Sequence, residues 1–210
     1  EEGSLLMELR AEKLNQARTK GNSGNTTPRE KRATDSSVTS KTYKGQRFRD
    51  DLSDLPLDDI AAAHSPTEVF HGLNHGIAIR NDLHGYDSVV KIVDAPQDRE
   101  GHDLLEHEAS IYTKLRGLWG KYMPGMVFAG PLTLARTALA VTYEGKSLDQ
   151  LKNLTGLGMN KEDLKRMACE ALTEVHKAGV LHGDVALRNM VVDAEQNSLK
   201  LIDFGSAEEV

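Results

Sequence analysis

The chain has 210 residues, 39% of them hydrophobic, one cysteine and a formal net charge of −6, enough for one sizeable core or two small ones and too few for several independent domains. A lone cysteine excludes a disulfide framework and a cysteine-built metal site, and no run of about 18 apolar residues offers a membrane-spanning helix. Lys and Arg outnumber Asp and Glu in the first fifty residues and the reverse holds after them; that basic stretch, poor in aromatics and without a dense positive run, reads as a solvated linker rather than a nucleic-acid-binding arm.

In chain order, Leu5 to Ala17 has helix-forming composition with loose periodicity, a marginal helix at most. From about Thr19 to Arg49 there is scarcely an aliphatic residue, so the segment cannot bury enough apolar surface to offset ordering entropy and is expected to be disordered. Regular patterning starts near Val69. Val69-Phe70, Ile77 to Ile79 and Val89 to Val93 read as strands separated by Gly, Asn and Asp turns. Leu104, Ile111 and Leu115 then recur at helical spacing, and Gly117 and Gly120 close that helix. Leu139 to Tyr143 reads as a further strand. Asn160 caps a second helix whose apolar face is Leu164, Met167, Ala168, Ala171, Leu172 and Val175, with Gly179 as its stop. Val180-Leu181, Met190 to Val192 and Leu199 to Ile202 form a strand-rich ending, and the whole reads as an α+β chain.

Two charged residues stand where charge is costly. Glu108 falls on the apolar stripe of the first helix, four residues after Leu104 and three before Ile111, and Lys91 sits inside Val89-Val90-Lys91-Ile92-Val93. A buried carboxylate and a buried ammonium each need a partner, and pairing the two with each other is the economical solution. Farther on, His182-Gly183-Asp184-Val185-Ala186-Leu187-Arg188-Asn189 sets an Asp and an Asn five residues apart in a polar loop between apolar segments. Leu199-Lys200-Leu201-Ile202-Asp203-Phe204-Gly205 then runs a strand into a carboxylate and a glycine turn.

These motifs resemble those of the protein kinases. The loop is similar to their H-R-D-x-x-x-x-N catalytic loop, Asp203-Phe204-Gly205 to their D-F-G motif, and Lys91 and Glu108 to their strand lysine and helix glutamate, all in the family's order. The resemblance runs from about Val69 to Val210. It implies a strand-rich first lobe over 51–142 after a basic tail over 1–50, and the first part of a helical second lobe over 143–210. It implies ATP and Mg²⁺ as cofactors and a protein hydroxyl, Ser or Thr, as acceptor. By resemblance Lys91, held by Glu108, would bind the α- and β-phosphates, Asp203 and Asn189 would bind Mg²⁺, and Asp184 would orient the acceptor hydroxyl and take its proton. Gly72 and Gly76 would cover the phosphates, although the family usually has three glycines there and a hairpin turn would need the same two. The backbone at Tyr143-Glu144 would meet adenine.

The chain departs from the family's pattern within the catalytic loop and after Gly205. Gly183 replaces the arginine that commonly precedes the catalytic aspartate, so control by activation-loop phosphorylation is not expected, and the His-Gly-Asp form is shared with atypical protein kinases and with aminoglycoside and choline kinases. Ala186 with Arg188 is closer to the tyrosine-kinase pattern. Only five residues follow Gly205, so an incomplete second lobe is expected, able to bind nucleotide and poor at transfer. A small-molecule phosphotransferase and a nucleotide-binding regulatory module are the alternative readings. An intracellular protein is expected, with a secreted effector left open because the sequence begins at Glu1.

Overall fold

A computed structural model describes residues 42–43, 46–47, 68–70, 75–83, 85–151, 159–193 and 195–210. The expected helix at Leu5 to Ala17 lies outside them, as do most of the stretch expected to be disordered and Gly72. Within that stretch four residues are described. Thr42–Tyr43 (β1) and Gln46–Arg47 (β2) pair antiparallel.

The centre of the fold is Tyr86–Asp94 (β5), the third of five antiparallel strands in the order β3-β4-β5-β7-β6. Its neighbours are Glu68–Phe70 (β3), Ile77–Leu83 (β4), Met126–Pro131 (β6) and Arg136–Thr142 (β7). Because side chains alternate across a strand, β5 divides its residues between two apolar clusters. Val93 joins Leu139 and Val141 on one face, while Val90 joins Ala138, Ala140, Leu83 and Phe128 on the other. The strand expectation missed β6, which ends in Gly130-Pro131. As an edge strand it is paired on one side only, with β7, and such a strand tolerates proline, whose missing N–H costs nothing on the open side.

Arg99–Lys114 (α1) packs on the first of these faces. Asp98 caps it by accepting the Gly101 N–H at 2.9 Å. Its buried positions are Gly101, Leu105, Glu108, Ile111 and Tyr112. Leu104, expected on that stripe, is 38% exposed, so the stripe is turned by one residue there. The correction keeps Glu108 inside, because Glu108 lies between Leu105 and Tyr112 at three- and four-residue spacing.

Lys161–Lys177 (α2) begins at Asn160, whose Oδ1 accepts the Asp163 N–H at 2.8 Å. It buries Leu164, Ala168, Ala171, Leu172 and Val175, with Met167 only partly covered. Lys146–Ser147 (β8), Met190–Asp193 (β10) and Ser198–Leu201 (β11) make a second antiparallel sheet, and Val180–Leu181 (β9) pairs with Glu208–Glu209 (β12). The large apolar cluster draws on both helices, on β5 and β7, and on Met190, Val192, Leu199, Leu201 and Phe204. The expected α+β class therefore holds, with antiparallel sheets and two helices among the described residues.

Candidate functional site

Lys91, Glu108 and Asp203 come from β5, α1 and the end of β11, and they converge on one ammonium. Lys91 Nζ donates to Glu108 Oε1 and Oε2 at 2.9 and 2.8 Å and to Asp203 Oδ1 at 2.8 Å. Burial alone would lower the Lys91 pKa, but the Glu108 carboxylate, and after it Asp203, outweigh that and raise it above the usual lysine value. Asp203 shows the reverse balance: burial pushes it up, and Lys91 beside it brings it below the usual carboxylate range. Lys91 and Asp203 are therefore both charged at neutral pH. Glu108 is 3% exposed, whereas the Asp203 side chain is 46% exposed.

Asp203 has a left-handed backbone, φ 65°, a conformation that a non-glycine residue adopts at a cost. Two contacts hold it there. Lys91 grips its carboxylate, and the next amide, Phe204 N–H, donates to Glu108 Oε1 at 3.3 Å. The Phe204 ring is fully buried, edge-on to Tyr112 at 5.6 Å between centroids and tilted against His182 at 4.7 Å. Burying a ring of that size contributes about 2 to 3 kcal/mol. His182 Nε2 meets the Ile202 carbonyl at 3.0 Å; burial lowers the pKa of this imidazole despite that contact.

The loop that carries Asp184 is tied to the same strand by the Ile202 N–H, which donates to the Asn189 carbonyl at 3.0 Å. Asn189 Nδ2 donates to the Asp184 carbonyl at 3.0 Å and to Asp184 Oδ2 at 2.9 Å. Arg188 donates to the same Oδ2 at 2.6 Å. Sequence reasoning noted Arg188 as a pattern and not as a site residue, because within a loop spacing alone does not say which side chains meet. Gly183 has φ +78°, and a Cβ there would stand 1.7 Å from the Ser206 carbonyl oxygen. The missing arginine thus has a local cause, since only glycine lets the backbone after Gly205 pass this close.

That backbone continues as β12 beside β9 and is fixed to α1 by His107 Nε2 on the Ala207 carbonyl at 2.8 Å and by Lys114 on Glu209 at 2.5 Å. Gly76 enters β4 with φ +62°, and a Cβ on it would lie 2.1 Å from the Ile92 carbonyl. Close packing on β5 accounts for this glycine without a ligand. Its neighbour His75 reaches Asp98, the cap of α1, at 3.0 Å.

At the segment after β7 the Tyr143 N–H donates to the Asp87 carbonyl at 2.8 Å, and the Arg80 guanidinium lies 3.7 Å over the Tyr143 ring. The Glu144 side chain turns inward to Thr142 Oγ1 at 2.6 Å and to Lys200, which sequence reasoning did not single out. Among the described residues no group of three or more His, Cys, Asp or Glu is placed to hold a metal by itself, and no helix is long and apolar enough to cross a membrane.

A buried lysine–glutamate pair locked to a strained aspartate, next to an Asp–Asn loop, is the arrangement of a protein-kinase-like domain, and comparison with known proteins agrees. Residues 134–210 match the ABC1 atypical kinase-like domain. The chain is 30% identical over 105 residues to the meiotic driver SPOK2 of Podospora anserina, covering 49% of this chain and 13% of that protein. It is 37% identical over 67 residues to the EKC/KEOPS complex subunit BUD32 of Cryptococcus neoformans, covering 30% of this chain and 23% of that one. The chain thus spans less than a quarter of either relative, and over the matched stretch it belongs to the protein-kinase-like superfamily.

Proposed function

We propose that the chain is an ATP-dependent phosphotransferase that moves the γ-phosphoryl group of Mg-ATP to a protein hydroxyl, Ser or Thr. The observation that carries this reading is the convergence of Lys91, Glu108 and Asp203, which are distant in sequence, at a half-open corner beside Asp184 and Asn189. Lys91 would bind the α- and β-phosphates, and Glu108, deep in the core, would hold the ammonium in place. The donor set fits Mg²⁺: Asp203 offers an exposed carboxylate and Asn189 a carboxamide, and this ion is ordinarily held by one or two protein oxygens together with substrate phosphates. When bound, it would neutralise charge on the phosphates. Asp184 would orient the acceptor hydroxyl and take its proton, with Asn189 and Arg188 fixing the carboxylate through one oxygen.

Adenine would be met by the backbone between Thr142 and Gly145, since the Glu144 side chain is committed to the interior. Gly72 and Gly76 as phosphate cover, and the division into two lobes at 142/143, belong to the same proposal. So does assembly with other proteins, for which the similarity to a complex subunit is the support.

A second reading, a small-molecule phosphotransferase, is favoured by Gly183, whose place under the Ser206 carbonyl leaves no room for an arginine. The test is incubation of the chain with γ-labelled ATP, Mg²⁺ and either a mixed protein acceptor or an aminoglycoside and choline panel. Label on protein that falls by about a hundredfold or more in Asp184→Ala, with ATP binding retained, is the expected result. Label on the small molecules alone selects the second reading, and transfer that Asp184→Ala leaves unchanged rejects both.

A further inference from the structure

Glu144 and Lys200 form an ion pair more deeply buried than any other in the site, with 0% and 3% of their side chains exposed. Glu144 Oε2 accepts from Lys200 Nζ, and Glu144 Oε1 accepts from Thr142 Oγ1, which itself accepts the Gly125 N–H at 2.9 Å. The relay thus crosses from the start of β6 to the segment after β7 and on to β11, three residues before Asp203. Stability alone does not call for it, because two apolar residues of the same volume usually serve a core as well or better. What an ion pair supplies that an apolar contact does not is a fixed direction and length between two backbones.

The backbones it joins are informative. On one side lies Thr142 to Gly145, further held by the Tyr143 N–H on Asp87 and by pairing of β8 with β10. On the other lies the strand that delivers Asp203 to Lys91. We infer that Lys200 is a positioning residue for nucleotide recognition: through Glu144 it holds the backbone that meets the base in register with the strand that carries the phosphate-side carboxylate. The inference rests on the nucleotide-binding reading above. It separates the two ends of the ligand, since loosening the pair disturbs the base end and leaves the triphosphate to Lys91 and Asp203.

The test uses the whole chain and the double variant Lys200→Met/Glu144→Leu, which removes both charges and keeps the volume. Calorimetric titration with Mg-ATP and with Mg-tripolyphosphate, which has no base, reads the two ends separately. The wild type is expected to prefer Mg-ATP. In the double variant Mg-ATP affinity should fall about tenfold toward that of Mg-tripolyphosphate, the equivalent of one lost hydrogen bond, while Mg-tripolyphosphate affinity stays unchanged. Unchanged Mg-ATP affinity, or an equal fall for both ligands, overturns the inference and leaves the pair a structural element. If the double variant does not melt cooperatively, Glu144→Gln, which keeps shape and loses charge, is read by the same two outcomes. A wild type that binds neither ligand overturns the nucleotide reading itself, and that is seen before any variant is compared.

Discussion

Two lysine–carboxylate clusters flank the short run from Lys200 to Asp203, and they differ in what they leave open. In the first, Lys91 bridges Glu108 and Asp203, with 23% of the lysine side chain and nearly half of the aspartate exposed. In the second, Lys200 and Glu144 are sealed. That exposure leaves room for a polyanion to share the lysine with Glu108, as the proposed function requires. The second has no such access and can only hold two backbones together. On the proposed reading, similar chemistry serves binding in one place and alignment in the other, and burial decides which.

The sharpest way to break this comparison is to remove one charge from the sealed pair. Lys200→Met leaves Glu144 buried without a counterion and should cost about 3 to 5 kcal/mol in urea denaturation, enough to unfold a marginal domain. Lys91→Met should cost less, about 1 to 2 kcal/mol, because Glu108 keeps the Phe204 N–H and the corner admits water. Its transfer rate, in contrast, should fall by about a hundredfold or more, read with γ-labelled ATP. If the two variants lose equal stability, the distinction between open and sealed clusters fails.

The core behind the open corner sharpens the comparison by pH. His182 is held below the ordinary histidine value of 6.5 chiefly by burial, so the fold keeps the imidazole neutral while the unfolded chain takes up a proton more readily. Its contribution is therefore present above pH 6.5 and lost as pH falls below it. Melts should show wild-type stability dropping as pH falls below that value, a slope that His182→Asn flattens. The smallest effect belongs to the exposed Lys114–Glu209 pair. Lys114→Ala should change stability by less than about 1 kcal/mol, and less still at high salt.

What the sequence disclosed follows from the same physics. Lys91 and Glu108 were legible because each is a charge at an apolar position, a conflict that one pairing resolves, and the structure joins them at 2.8 Å. Asp184, Asn189 and Asp203 were legible as motifs with fixed spacing. The pairing of Glu144 with Lys200 was not: Glu144 stood out only for its backbone, a lone Lys within a strand looks solvated, and 56 residues separate the two. The phase of α1 was misread at one position, since Leu104 and Leu105 are adjacent and only packing decides which faces inward. The β6 strand was hidden by its unalternating Met126-Val127-Phe128-Ala129 run and its terminal Gly-Pro. The need for glycine at position 183 lies in the Ser206 carbonyl above it, a contact that no local pattern announces.

The central claim is that the open cluster is a magnesium–nucleotide site, and calorimetric titration of ATP with and without Mg²⁺ tests it most directly, on the wild type beside Lys91→Met and Asp203→Asn. The expected result is wild-type binding that requires Mg²⁺ and is weakened about tenfold or more by either substitution. Binding that needs no Mg²⁺ and is the same in all three proteins, or no binding in the wild type, would contradict it.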